Sequence, residues 1–268
     1  MTVLDTPAGT VRTRPVTLRI ALVDIGGLTR RNLLRIVRTP PLLVFSSIQP
    51  VMFVLLFRYV FGGAIHVPTG EYVDYLMPGI FVQTALFGGA SSAVGLADDL
   101  QGGIIDRFRS LPMARSAVLA GRTLADLVRN LLVVFLMVAV GYLVGFRFHG
   151  TIGTDVGGLA LVLLFGYVFS WVFVSIGLWV GNPETAQVAG FLPLFPLTFA
   201  SSAFVPVSSM PGWLQAFANV QPVSVTVDAV RAMLEGATFG HWLWQSLAWA
   251  AGILIVFSIL AVRRYRKV

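Results

Sequence analysis

The residues of this chain able to do chemistry are few, and they fall in separate places. The longest polar run is Asp98–Ser116, with Asp106, Arg107 and Arg109 at its centre. Arg122, Asp126 and Arg129 follow at i, i+4 and i+7, one helical face on which Asp126 can pair with either arginine. Asp228, Arg231 and Glu235 stand at i, i+3 and i+7, again within reach of local ion pairing. Arg30, Arg31, Arg35 and Arg38 form a cationic group near the start. His66, His149 and His241 are scattered and do not converge on one site. A phosphate cradle of the form G-x-x-x-x-G-K-[ST] is excluded, because the sole lysine is Lys267. Neither H-E-x-x-H nor G-x-S-x-G occurs, and the chain has no cysteine, which excludes disulfides and thiolate metal sites. The expectation is therefore no catalytic residue, no metal and no cofactor bound by this chain.

The elements that must position these residues are apolar. Mean hydropathy is +0.83, with 56% hydrophobic and 12% charged residues, against about 25% charged in an ordinary soluble domain. Candidate spans lie near 42–62, 75–97, 120–146, 157–180, 186–206 and 242–262, each close to the roughly 20 residues that cross a hydrocarbon core. They are continuously apolar and not alternating, which selects helices over a barrel. Pro193 and Pro196 interrupt the fifth. The net charge of +7 is not a nucleic-acid signature, because the cations flank the spans. Residues 1–41 hold seven arginines, the loop after span two holds Arg107, Arg109 and Arg115, and the chain ends on Arg263, Arg264, Arg266 and Lys267. Residues 63–74 carry no cation, and the 207–241 segment carries Arg231 alone. Both termini and the 98–116 loop are thus expected on the cytoplasmic side of a cell membrane.

Residues 1–16, polar with Pro7, Gly9 and Pro15, read as a flexible tail rather than a signal peptide, and 263–268 as a basic tail. Residues 17–41 predict an amphipathic helix lying in the interface, the four arginines opposite Leu22, Ile25, Leu33, Ile36 and Val37, and ended by Thr39-Pro40-Pro41. Two readings of it are open: a topology signal, or a helix that also touches a cytoplasmic partner. Arg58, inside the first span near its outer end, either snorkels outward or meets a substrate. In the polar run, Gly102-Gly103 allows a bend, Ile104–Leu111 can make two helical turns with Ile104, Ile105, Phe108 and Leu111 near one face, and Pro112 stops it. A plain connector would not need that apolar edge, which suits a partner's groove. Gly141–Gly145 and Gly177–Gly181 permit close helix contact. Between spans five and six, residues 207–235 predict two short helices, the first with Pro211, Trp213, Leu214 and Phe217, the second after Pro222, forming a re-entrant hairpin buried against protein. Carriers driven by an ion gradient place acids mid-membrane, whereas the Asp and Glu of this chain are expected to avoid the span centres. That favours an energy-supplying partner.

Several segments together resemble the ABC-2 transporter permeases, and within them the daunorubicin-resistance type of efflux permease. They are Phe61-Gly62-Gly63, the loop Asp106–Arg115 followed by Gly121-Arg122, and Asn182-Pro-Glu-Thr-Ala186 leading to Phe204-Val-Pro206, Met210–Leu214 and Gln221-Pro222. The resemblance covers nearly all of residues 17–268. It implies an all-α membrane subunit of six spans, working with a second permease copy or paralogue and two cytoplasmic ATPase subunits that hold ATP and magnesium. It implies that residues 17–39 and about 100–113, with Gly103, Ile104, Ile105, Asp106, Arg107, Phe108, Arg109, Leu111 and Pro112, dock the ATPase. Glu184 would lie in a further cytoplasmic turn, and the 207–235 hairpin would cap the path. The substrate so implied is an amphipathic drug or lipid-like molecule moved outward. A lipid-linked polysaccharide exporter, and a carrier or channel without a partner, stay open as alternatives.

Overall fold

A computed structural model describes residues 18–38, 40–67, 70–104 and 115–265 of the chain. Nine α-helices are present among them: α1 (Leu18–Arg38), α2 (Pro40–Leu55), α3 (Tyr72–Gln101), α4 (Arg115–Leu143), α5 (Ile152–Val180), α6 (Pro183–Phe199), α7 (Gly212–Ala218), α8 (Pro222–Leu234) and α9 (Gly240–Tyr265). No strand occurs among the described residues. Four stretches are long and apolar enough to cross a membrane: Tyr72–Gln101, Ala117–Leu143, Ile152–Val180 and Gly240–Tyr265. α2 and α6 are shorter, at 16 and 17 residues. α2 is prolonged by one π-helical turn, Leu56–Phe61.

Local chemistry explains several of the helix ends. Thr151 caps α5 through a reciprocal bond with Thr154, and Gly181 closes it in the left-handed conformation at φ 67°. The Asn182 side chain then accepts from the amides of Glu184 and Thr185, with Pro183 in the first turn of α6. Pro193 and Pro196 lie inside α6 without stopping it, and it ends at Phe199, short of the expected 206, where Ser201 turns back on Thr198. Gln221 caps α8 and Pro222 opens it.

α3 is the centre of the bundle and packs on α2, α4, α5, α6 and α8. Its buried face is nearly continuous from Tyr72 to Ala97, with Leu76, Met77, Ile80, Phe81, Ala85 and Leu86 fully enclosed. Small residues bring the backbones together. Gly177 of α5 lies against the backbone of Ala93, where an added Cβ would meet the Ala93 carbonyl at 2.6 Å. Gly141 of α4 lies against Met77 of α3, where an added Cβ would meet the Met77 methyl at 2.8 Å, whereas Gly181 caps α5 and Gly145, at φ 104°, lets the chain leave α4.

Candidate functional site

The bundle has two ends, and charged groups organise each. At the Gln101 end of α3 the Asp99 carboxylate is buried, 5% exposed, and is shared by two arginines. Arg122 of α4 donates to it at 2.8 Å and Arg31 of α1 at 3.5 Å. One α3 carboxylate therefore ties the first helix and the fourth to the central one. The chain leaves this knot three and four residues on, at Gly102 and at Gly103 with φ 65°. Of the expected docking residues, Gly103 is exposed and Ile104 half-buried. Ile105, Asp106, Arg107, Phe108, Arg109, Leu111 and Pro112 lie outside the described residues.

Deeper in the same interface, Asp126 pairs with Arg129 at 3.5 Å and bonds Ser92. Arg129 reaches back to the Ser91 hydroxyl and the Gly88 carbonyl, and Asn130 donates to the Ala85 carbonyl at 3.1 Å. The self-neutralised cluster expected on this helix is present, but Arg122 takes Asp99 rather than Asp126. Depth differs from expectation as well. Arg129 and Asn130 stand at the middle of Ala117–Leu143, while Asp126, the acid of this helix, lies a turn from it. The cause is that α4 begins at Arg115, five residues before the expected start of its span.

On α1, Arg30 and Arg38 are exposed and Arg31 is half-buried; of the Arg35 side chain nothing is described. α1 packs on α4, with Leu28 buried and Gly121 of α4 directly beneath it. Glu184 is exposed in the first turn of α6, just after the turn between α5 and α6. Arg58 pairs with Glu71 at 3.2 Å, a partner that neither expected role supplied.

At the Tyr72 end, Arg231 of α8 is 8% exposed. Its guanidinium donates to the Tyr75 carbonyl at 3.2 Å, the Ser202 carbonyl at 2.7 Å and Asp228 at 2.8 Å, and lies 3.6 Å over the Tyr75 ring. Tyr72 donates to the Phe204 carbonyl at 2.9 Å and Tyr75 to that of Ser202 at 3.1 Å. Together they bolt α8 and the 200–206 segment to α3. Beside them Glu235 is held above the usual carboxylate range, first by burial, then by Asp74, with Arg231 and His149 pulling it down. The two expected outer helices differ. α8 is buried along its length, whereas α7 exposes Trp213 and Phe217, Leu214 is half-buried, and Pro211 is exposed.

Residues 24–234 of the chain match the model of the ABC-2 type transporter family. The chain belongs to the ABC-2 type transporter family. The daunorubicin resistance ABC transporter permease protein DrrB1 of Streptomyces coeruleorubidus is 35% identical over 229 residues, 85% of this chain and 81% of that one. The "Probable doxorubicin resistance ABC transporter permease protein DrrC" of Mycobacterium tuberculosis is 26% identical over 240 residues, 89% of this chain and 87% of its own length. With its four long apolar helices, this ABC-2 family member is a multi-pass membrane protein.

Proposed function

We propose that this chain is the membrane-spanning subunit of an ATP-driven exporter, moving an amphipathic drug or lipid-like molecule outward with ATP hydrolysed by a separate cytoplasmic subunit. The reading takes α2 with its π turn, α3, α4, α5, α6 and α9 as six spans. The Gln101 end of the bundle faces the cytoplasm, with both chain termini on that side, and the Tyr72 end faces outward. The names of the relatives, which are permease proteins of ABC transporters, support it.

The observation that carries it is the Asp99 knot, three residues before Gly102 and the Gly102–Gly103 turn. A force applied to the segment after Gly103 acts at once on the end of α3. Through Arg31 and Arg122 it also acts on α1 and α4. An ATPase gripping Gly103–Pro112, with Arg30, Arg31, Arg35 and Arg38 of α1 and Glu184 as neighbouring contacts, would move three helices together. Such coupling requires contacts that differ between two states. α7 and α8 stand at the opposite end, where they would close the path.

The test is purification of the tagged chain from its native membrane. A stoichiometric P-loop protein is expected with it, and is expected to be lost when residues 104–111 become a Gly/Ser linker. Phe108→Ala and Arg107→Glu should insert normally yet abolish ATP-dependent export. A chain that purifies alone and moves substrate in ATP-free liposomes would replace this reading with that of a carrier.

A further inference from the structure

One flank of α1 is tied to the bundle by Arg31, which reaches Asp99 of α3. The other flank carries an open groove of about 480 Å³, within the roughly 300–1,000 Å³ of ordinary small-molecule sites. Ile25, Gly26, Thr29, Leu33 and Leu34 line it from α1, and Leu124 from α4. The Thr29 hydroxyl turns back to donate to the Ile25 carbonyl at 2.7 Å, which leaves the lining apolar. Arg30 is the one charged residue of the lining. It is exposed and forms no ion pair among the described residues. Gly26 keeps the groove open. An added Cβ there would meet nothing within 4 Å, so close packing does not demand the glycine, although glycine weakens a helix interior.

The groove does not end at α1. Leu124 begins a stripe on α4 that continues through Val128, Leu131 and Phe135, all within about 60° of one another round the helix. Val128, Leu131 and Phe135 are exposed. From Leu124 to Phe135 the stripe runs about 16 Å at 1.5 Å per residue. That is about half of a hydrocarbon core roughly 30 Å thick, the depth of one leaflet. An apolar track of that length, entered from a groove with a guanidinium at its edge, has the shape of a seat for one acyl chain and its head.

Charge sets the kind of head. α1 carries five arginines and a single acid, Asp24, and Asp24 lies about 120° round the helix from Arg30. Asp99, held by Arg122, and Asp126 stand on the far side of α4, about 160° round from Leu124. Among the described residues, no carboxylate therefore lines the groove against Arg30. A guanidinium pairs with phosphate oxygens through two parallel N–H bonds, and the surplus of arginines favours a head of net negative charge.

We propose that this groove is a binding site for one anionic phospholipid, its phosphate on Arg30 and one acyl chain laid past Gly26 and Leu33, across Leu124 and along Val128, Leu131 and Phe135. The lipid fills the flank of α1 that Arg31 leaves open, so that α1 is held on α4 from both sides. The site needs only the membrane setting of the chain and is independent of the exporter reading.

The chain has no cysteine, so a bimane on Val128→Cys reports from the stripe alone. Ile255→Cys, on the exposed side of α9, reports ordinary lipid. The full chain is placed in phosphatidylcholine nanodiscs with a fraction of phosphatidylglycerol or of phosphatidylcholine carrying a nitroxide midway along one chain, and quenching gives the relative affinities. In about 0.3 M salt, where charges are screened beyond roughly 6 Å, phosphatidylglycerol should be preferred about fivefold at Val128→Cys and not at Ile255→Cys. Arg30→Gln and Gly26→Phe should each abolish the preference. Arg38→Gln, which removes the same charge from an exposed position outside the groove, should keep it. Equal quenching by the two lipids at Val128→Cys would overturn the proposal, and so would an equal loss with Arg38→Gln, which would reveal diffuse attraction to the helix. Quenching by neither lipid would overturn it as well and show the groove covered by protein. Dependence on only one of Arg30→Gln and Gly26→Phe would overturn the joint seat of phosphate and chain.

Discussion

Two ionisable residues at the Tyr72 end, buried Arg231 and half-buried Glu235, make opposite contributions. Glu235 sits where burial disfavours its carboxylate. Below the ordinary carboxylate range both folded and unfolded chains hold the proton there, and the site costs nothing. As pH rises through the elevated folded value, the folded chain must ionise in place, and stability falls. Glu235→Gln should therefore raise the melting temperature at pH 8, and the gain should vanish as the pH approaches 4.5, the ordinary value for this side chain. A gain that persists unchanged in acid would show that Glu235 is not buried as described. Arg231 is the counterpart. Its fork satisfies two main-chain carbonyls and Asp228 at once, a geometry that lysine lacks. Arg231→Gln should cost about 3–5 kcal/mol, because it leaves Asp228 and both carbonyls unmet. Arg231→Lys should recover only part of that, as read from thermal melting in nanodiscs. Sequence spacing identified Arg231 with Asp228 but could not find the Tyr75 and Ser202 carbonyls. Main-chain acceptors have no residue-type signature, and these two lie 156 and 29 positions away.

At the scale of elements, the long apolar helices were legible because each is a continuous hydrophobic run. The short ones were not. α6 ends seven residues before its apolar stretch does, since the turn at Ser201 is set by local hydrogen bonds rather than by hydropathy. α7 was expected to be buried and is exposed. An apolar face reads the same in sequence whether the chain, lipid or another protein covers it. The knot at Asp99 was missed because Arg31 lies 68 positions from its partner. Its contribution can be isolated. Asp99→Asn leaves Arg31 and Arg122 without their shared carboxylate, and should accelerate amide exchange across residues 18–38 while leaving 240–265 unchanged. Unchanged exchange in α1 would mean that its packing on α4 holds it without the ion pairs.

At the scale of the whole molecule, stability in lipid comes from close packing and from internally satisfied polar groups, since the tails are as apolar as the helices. The structure concentrates both on α3. It holds the fully enclosed residues from Leu76 to Leu86, and it is tied by hydrogen bonds or ion pairs to α1, α4, α8 and the 200–206 segment. Native-state exchange should therefore be slowest in 76–97 and fastest in α7, whose main element contact is the short turn Val207–Ser209 and whose Trp213 and Phe217 are exposed. Equal protection in the two would contradict a centre built on one helix.

The Asp99 bridge also bears on how the protein is made. Arg31 is synthesised early, its acceptor Asp99 later, and the second donor Arg122 later still. At about 5–20 residues per second, a ribosome needs roughly 5–18 s to travel from Arg31 to Arg122. For that interval the amphipathic first helix has nothing complete to close upon. It must wait at the membrane surface, held by its own arginines, until the fourth helix is delivered. The first part of this corner to be made is thus the one that must wait for the last before the bridge is complete.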